Sequence, residues 1–143
     1  MIAGGLDKSN KYIDTSYILE VKFDDNTITK IVYKELPNIP NSFQSAAFGS
    51  FLGRSLIMGG FKSNKCLEFD QEEYQVIPSL NVNRVGAAST FIQNKVVVAG
   101  GDGRRYLDRI EILDWDESNH GSQWIQSPSR LPIKVRNHTL VTL

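Results

Sequence analysis

Three times in 143 residues a short apolar run ends in a glycine pair. Met1–Ala3 precede Gly4 and Gly5, Leu56–Met58 precede Gly59 and Gly60, and Val97–Ala99 precede Gly100 and Gly101. Each run reads as a buried strand. Each pair reads as a place where a side chain would clash or where φ must be positive. One pair constrains little. Three, each set in a longer matching pattern, predict a repeat protein, and a repeat decides the whole fold.

A second signature follows each pair: an aromatic residue and, four residues on, a proline. It appears as Tyr33 with Pro37, Tyr74 with Pro78, and Trp124 with Pro128. Tyr33 to Gly60 and Tyr74 to Gly101 both span 27 residues. From glycine to aromatic the count varies: 28 from Gly5 to Tyr33, 14 from Gly60 to Tyr74, 23 from Gly101 to Trp124. Constant spacing predicts packed strands, where a slip of one residue turns the core face outward. Variable spacing predicts surface loops, where added length costs little entropy.

The rigid half aligns residue by residue. Phe43–Gly60 lies over Arg84–Gly101, so Ser45, Ala46 and Ala47 match Gly86, Ala87 and Ala88. Small residues there suit a strand crowded near a central axis. A tight hairpin follows, at Leu52–Arg54 and Gln93–Lys95, then the strand into the glycines. A third strand ends in an apolar residue and Asp: Phe23 and Asp24, Phe69 and Asp70, Leu113 and Asp114. The fourth carries the aromatic. Four short antiparallel strands per unit predict an all-β chain of β-propeller blades.

The ordered set of glycine pair, apolar-Asp strand end, Tyr or Trp, and Leu-Pro or Ile-Pro resembles kelch repeats over essentially the whole chain. Tyr stands for the usual Trp in two units, and Phe43 sits where the family often has Arg. Trp115 and Asp116 form the Trp-Asp pair of another propeller family, but only once, and read as incidental. The resemblance implies one kelch segment over residues 1–143. Its blades are 1–37, 43–78 and 84–128, with 136–143 as the first strand of a further or exchanged blade.

Both chain ends fall in the same hairpin of the repeat. Met1–Gly5 match Val97–Gly101, and Arg136–Leu143 match Arg84–Phe91. Three blades do not close a ring, since propellers use roughly four to eight. Two solutions are expected. Two copies exchange last strands into a six-bladed homodimer, or the chain is joined by the remainder of a longer kelch protein.

With 16 basic and 16 acidic residues the net charge is zero, which argues for neither nucleic acid nor anionic membrane as main partner. There is no 18-residue apolar stretch and no signal-peptide pattern. Cys66 is the only cysteine, so no internal disulfide forms, and its place between apolar strand residues predicts a buried structural thiol. An intracellular, cytoplasmic protein is expected. His120 reads as a turn residue and His138 as a packed residue of a first strand. Two histidines and one cysteine give no metal-ligand spacing, so no metal, cofactor or catalytic residue is assigned. Gly100–Arg105 reads as a glycine turn carrying two arginines rather than a phosphate loop, because a strand follows it.

Recognition is the expected function. Loops between strands two and three (6–15, 61–65, 102–108) share a face with the connections from strand four to the next unit (38–42, 79–83, 129–135). The candidate partner-binding residues are Lys8, Lys11, Tyr12, Lys62, Asn64, Arg84, Arg104, Arg105, Tyr106, Arg130 and Arg136, with Asp14, Asn81, Asn83 and Lys134 on the same face. The face is rich in Arg, Lys, Tyr and Asn and poor in acids, which predicts an acidic peptide or protein partner. The resemblance implies protein-segment binding too, including degron recognition in a ubiquitin-ligase adaptor if the chain is a fragment. Other kelch-type propellers are enzymes acting on sugars or small molecules.

Overall fold

The computed structural model describes residues 1–41, 43–116 and 123–142, so Ser42, His120 and Leu143 lie outside the described residues. The architecture is all-β. Its first sheet is β1 (Ile2–Ala3), β2 (Ser16–Asp24) and β3 (Thr27–Leu36). The second is β4 (Ala47–Phe51), β5 (Arg54–Met58), β6 (Cys66–Phe69) and β7 (Tyr74–Ile77). The third is β8 (Ala88–Ile92), β9 (Lys95–Ala99), β10 (Arg109–Asp114) and β11 (Trp124–Arg130). Every pairing is antiparallel between neighbours in sequence. No helix among the described residues is long and apolar enough to cross a membrane.

The glycine pairs splice one sheet to the next, for both of the expected reasons. All six glycines have φ between +64° and +111°. A Cβ on the first of each pair would meet a carbonyl oxygen: Phe43 O at 2.9 Å, Arg84 O at 2.9 Å, Val135 O at 2.7 Å. The second glycine donates its N–H to that same oxygen, at 3.0, 2.6 and 2.8 Å respectively. A side chain would therefore break the joint twice, by clash and by strain.

These bonds make Val135, not Arg136, the equivalent of Arg84. The next bonds agree: Gly86 N donates to Ser45 O and Asn137 N to Gly86 O, both at 2.7 Å. Ser45, Gly86 and Asn137 all have positive φ. The left-handed bend sets the register, and matching arginine to arginine misses it by one residue. Residues 136–142, expected as a first strand, form no strand here. They run beside β8, where Thr142 Oγ1 donates to Phe91 O at 2.9 Å.

The first sheet departs from expectation in a second way. Leu19 pairs with Tyr33, as Phe69 does with Tyr74 and Leu113 with Trp124. Leu19 and Glu20 thus hold the strand-end position assigned to Phe23 and Asp24. Beyond them β2 and β3 continue as a two-stranded ribbon, turning at Asp25 and Asn26, both with positive φ. That is the type I′ geometry favoured by twisted hairpins. Spacing alone does not separate a loop from a ribbon, so part of the extra length in this unit is paired strand.

Two core layers fill the gaps between sheets. Ile39, Phe43, Ile57 and Leu67 lie between the first and second, joined by Met1, Ala3 and Tyr74. Leu56, Met58, Cys66, Val96, Val98, Leu113, Trp115 and Trp124 lie among those between the second and third. The aromatics of β7 and β11 reach back to the preceding sheet. Trp124 Nε1 donates to Pro78 O at 2.8 Å. Tyr74 OH donates to Ser16 Oγ at 2.7 Å, and Ser16 Oγ donates to Pro37 O at 2.9 Å. The shorter Tyr thus reaches the equivalent proline carbonyl through a serine relay. Tyr33, the corresponding aromatic of β3, is 63% exposed, where Trp124 is 4% exposed.

Candidate functional site

One bond, repeated in each sheet, brings the two loop groups to one edge. Ile39 N donates to Asp14 O at 2.7 Å, Leu80 N to Asn64 O at 2.9 Å, and Leu131 N to Asp108 O at 2.8 Å. Antiparallel alternation requires this, because loops one strand pair apart emerge on the same side.

The edge is most built up between the second and third sheets. The 101–107 loop closes on itself through Leu107 N to Gly101 O at 2.9 Å and Gly103 N to Arg105 O at 3.3 Å. It is tied to the neighbouring connection by Val85 and Asp102, which exchange two N–H to carbonyl bonds of 2.9 Å each. This lifts Arg104 and Arg105 to the loop tip, both exposed. Two grooves flank the tip. One, of about 460 Å³, is lined by Val82, Asn83, Gly103, Arg104, Arg105, Leu107 and Arg109. The other, of about 450 Å³, is lined by Phe61, Lys62, Asn83, Val85, Asp102, Gly103, Arg104 and Arg136.

Lys62, Arg104, Arg105, Arg109 and Arg136 therefore line adjoining grooves whose one acid, Asp102, accepts from Arg136 Nη1 at 3.2 Å. Arg136 also lies over the Tyr106 ring, its guanidinium carbon 4.8 Å from the centroid, a cation–π contact. Lys62 lies 5.2 Å from the Phe61 centroid. The linings combine hydrogen-bond donors and positive charge with apolar side chains, Val82 and Leu107 in one groove and Phe61 and Val85 in the other. Guanidinium and ammonium groups beside apolar side chains are chemically complementary to anionic groups attached to apolar or planar ones. Among the described residues no group of three His, Cys, Asp or Glu side chains gathers to hold a metal ion.

Of the residues expected on this face, Lys62, Arg104, Arg105 and Arg136 meet at the grooves, with Tyr106 behind Arg136. Lys8, Lys11 and Tyr12 lie apart, on the first sheet's loop, which is shaped by Asp7 Oδ1 accepting from Ser9 N and Lys11 N. Arg130 is held by Asp108 at 2.9 Å. Asn64 is half-buried and its Nδ2 donates to Leu80 O at 2.7 Å, so its amide serves the loop itself. Arg109, Phe61 and Leu107 also line the grooves, though none of them was among the candidate binding residues. Arg109 begins a strand and the other two are apolar, so a search for charged loop residues passes over them.

Arg84 is a correction. It is fully buried (0% exposed) and offers nothing to a partner. Its Nε donates to Glu111 Oε1 at 2.9 Å, and its Nη1 to Gly100 O at 2.6 Å and Arg109 O at 2.8 Å. Asn81 completes the cluster, donating N–H and Nδ2 to Glu111 Oε2 at 2.6 and 2.7 Å. Burial presses the guanidinium pKa down, and Glu111 opposes it. The second sheet solves the same position differently. Phe43, Leu67 and Pro40 replace Arg84, Glu111 and Asn81, so both charges and the N–H that served them disappear together.

The two other groups singled out in the sequence are structural. Cys66 is fully buried, and burial pushes its thiol up to about 12. His138 packs over Gly100, where a Cβ would lie 2.5 Å from its Cε1.

No family model and no curated protein sequence matches this chain. A solved structure described as "Structure of YjhT" is similar in fold, with a TM-score of 0.61 at 18% identity. The likeness covers 76% of this chain and 34% of that one, so the chain spans about a third of that structure's length.

Proposed function

We propose that the three sheets are blades of a kelch-type β-propeller and that the chain is a binding module for an acidic segment of a protein partner. The blade reading rests on the repeated splice at the glycine pairs and on the aromatic that reaches back to the preceding proline carbonyl. The binding reading rests on one observation: two adjoining grooves that bring five cations together and hold one acid, already engaged by Arg136. Loops closed by their own backbone bonds on a sheet scaffold leave mainly side-chain ordering to be lost on binding.

The experiment is fluorescence anisotropy with a labelled peptide alternating Glu with Leu or Phe, against the same peptide with Gln for Glu. The Glu peptide binds and the Gln peptide does not, and affinity falls as salt rises. Replacing Arg104 and Arg105 together with Ala weakens binding about tenfold, the sum of two partly screened ion pairs. The melting temperature stays put, because both side chains are exposed at a loop tip. Equal binding of both peptides, or an unchanged dissociation constant in the double variant, refutes the assignment.

A further inference from the structure

Resting on the binding reading above, we infer that the groove of Arg104, Arg105 and Arg109 receives a phosphoryl group carried on a side chain of the partner segment. The acids around the groove, the build of its walls and the chemistry of its three guanidiniums all bear on that assignment.

Each carboxylate nearby is already engaged elsewhere. Asp102 accepts from Arg136 Nη1 at 3.2 Å and lines the other groove. Asp108 accepts from Arg130 Nη1 at 2.9 Å. Glu111 is taken up by Arg84 and by both nitrogens of Asn81. None of the three lines this groove. Among the described residues, Arg104, Arg105 and Arg109 have no ion-pair partner. Arg109 is half-buried, so water screens its charge less than at the loop tip. The buried Arg84 registers the excess: burial comes first in pressing its guanidinium pKa down, and Arg109 adds to the effect against Glu111.

The groove is made within residues 82–109, by one connection and one loop. Asp102 bridges to Tyr106 across the loop and to Val85 of the connection, which leaves 103–105 as the tip. Gly103 lets the tip seat against the connection, since a Cβ there would lie 2.9 Å from Asn83 O. Arg109 opens β10, and its carbonyl accepts from Gly100 N at 3.1 Å and Arg84 Nη1 at 2.8 Å. Two guanidiniums thus stand on a tied loop and the third on a strand held by two bonds. Binding orders their side chains and leaves the backbone as it is.

Charge and shape favour a phosphate monoester over a carboxylate. A carboxylate brings one charge and two oxygens, enough for one bidentate guanidinium. Here it would leave two guanidiniums unmatched. A phosphate monoester brings a charge of about −1.5 to −2 near neutral pH and three acceptor oxygens. A phosphodiester, as in a nucleic-acid backbone, brings one charge and falls short as a carboxylate does. Val82 and Leu107 in the same lining suit the carbon stem that carries the ester, and Asn83 adds an amide donor. The adjoining groove, where Asp102 offsets part of the charge of Lys62 and Arg136, suits the flanking carboxylates of the same segment.

The test measures anisotropy of three labelled peptides on the whole chain: the Glu peptide above, the same peptide with phosphoserine for its central Glu, and the same with Ser there. The phosphoserine peptide is expected to bind about tenfold more tightly than the Glu peptide, and the Ser peptide less tightly than either. Arg109→Gln is expected to shrink that preference to about twofold or less, whereas Lys62→Ala, in the other groove, weakens both peptides and keeps their ratio. If Arg109→Gln lowers the melting temperature, Arg105→Gln at the exposed tip makes the same measurement. Equal binding of the phosphoserine and Glu peptides overturns the inference and leaves the acidic-segment reading standing. So does a preference that survives both substitutions, or inorganic phosphate or a single-stranded oligonucleotide competing as well as the phosphoserine peptide. Binding of the phosphoserine peptide with none of the Glu peptide upholds the groove and removes the broader reading. Failure of all three peptides to bind refutes that reading and this inference with it.

Discussion

Replacing Glu111 with Leu severs the buried cluster of the third sheet. Arg84 (0% exposed) then keeps its charge with no carboxylate within reach, and Asn81 N loses its acceptor. Breaking a buried ion pair from one side costs about 3–5 kcal/mol. Copying the whole second-sheet solution, with Arg84→Phe, Glu111→Leu and Asn81→Pro together, removes both charges and the orphaned N–H at once. The bond from Asn81 Nδ2 to Trp124 O and those from Arg84 Nη1 to the Gly100 and Arg109 carbonyls are lost as well, at about 1 kcal/mol or less each. Apolar replacements of a buried pair are otherwise close to neutral, so the triple variant is expected to lose about 1–3 kcal/mol, less than Glu111→Leu alone. Urea unfolding followed by tryptophan fluorescence reads this directly, because Trp115 and Trp124 are both in the core between the second and third sheets. A triple variant as unstable as Glu111→Leu alone refutes the claim that the two sheets hold interchangeable solutions.

Three further outcomes are expected. Gly100→Ala places a methyl at φ +65° against His138 Cε1 at 2.5 Å and Val135 O at 2.7 Å, and should cost about 2–4 kcal/mol in the same unfolding assay; a loss under 1 kcal/mol would contradict the splice argument. Tyr74→Phe keeps the Ser16 to Pro37 bond and loses one hydroxyl donor, about 1 kcal/mol, whereas Trp124→Ala empties a core site and costs about 3–5 kcal/mol; equal losses would remove the relay from the account. Cys66, whose thiol burial raises to about 12, should not react with a thiol reagent at pH 8 until urea unfolds the chain, and prompt labelling of folded protein would show the core to be open there.

Much of the fold was legible because its constraints are local. A glycine pair with positive φ, a two-residue hairpin and a buried apolar run each leave a mark within a few residues of sequence. Constant spacing between such marks then reports packed strands. The loop edge was legible for a related reason, since antiparallel alternation fixes which loops emerge together. Two readings failed where spacing carries no geometry. Phe23 and Asp24 imitate a strand end that Leu19 and Glu20 occupy, because a ribbon adds paired residues without changing the pattern. Arg136 imitates Arg84, but the bend at Asn137 gives that place to Val135.

The sequence by itself determined that the chain is built of repeated antiparallel units, where the glycine splices and the tight hairpins of the second and third sheets fall, and which edge carries the variable basic loops. Tertiary structure alone decided which of those charges face solvent. Arg84 and Arg104 are the same residue type in neighbouring connections, yet one closes a buried carboxylate cluster and the other stands at a loop tip. That difference comes from Glu111 and Asn81, which lie 27 residues after and 3 before Arg84 and meet it only when the strands pair. Burial is a property of neighbours in space, and for a charged side chain those neighbours decide whether it stabilises the fold or meets a partner.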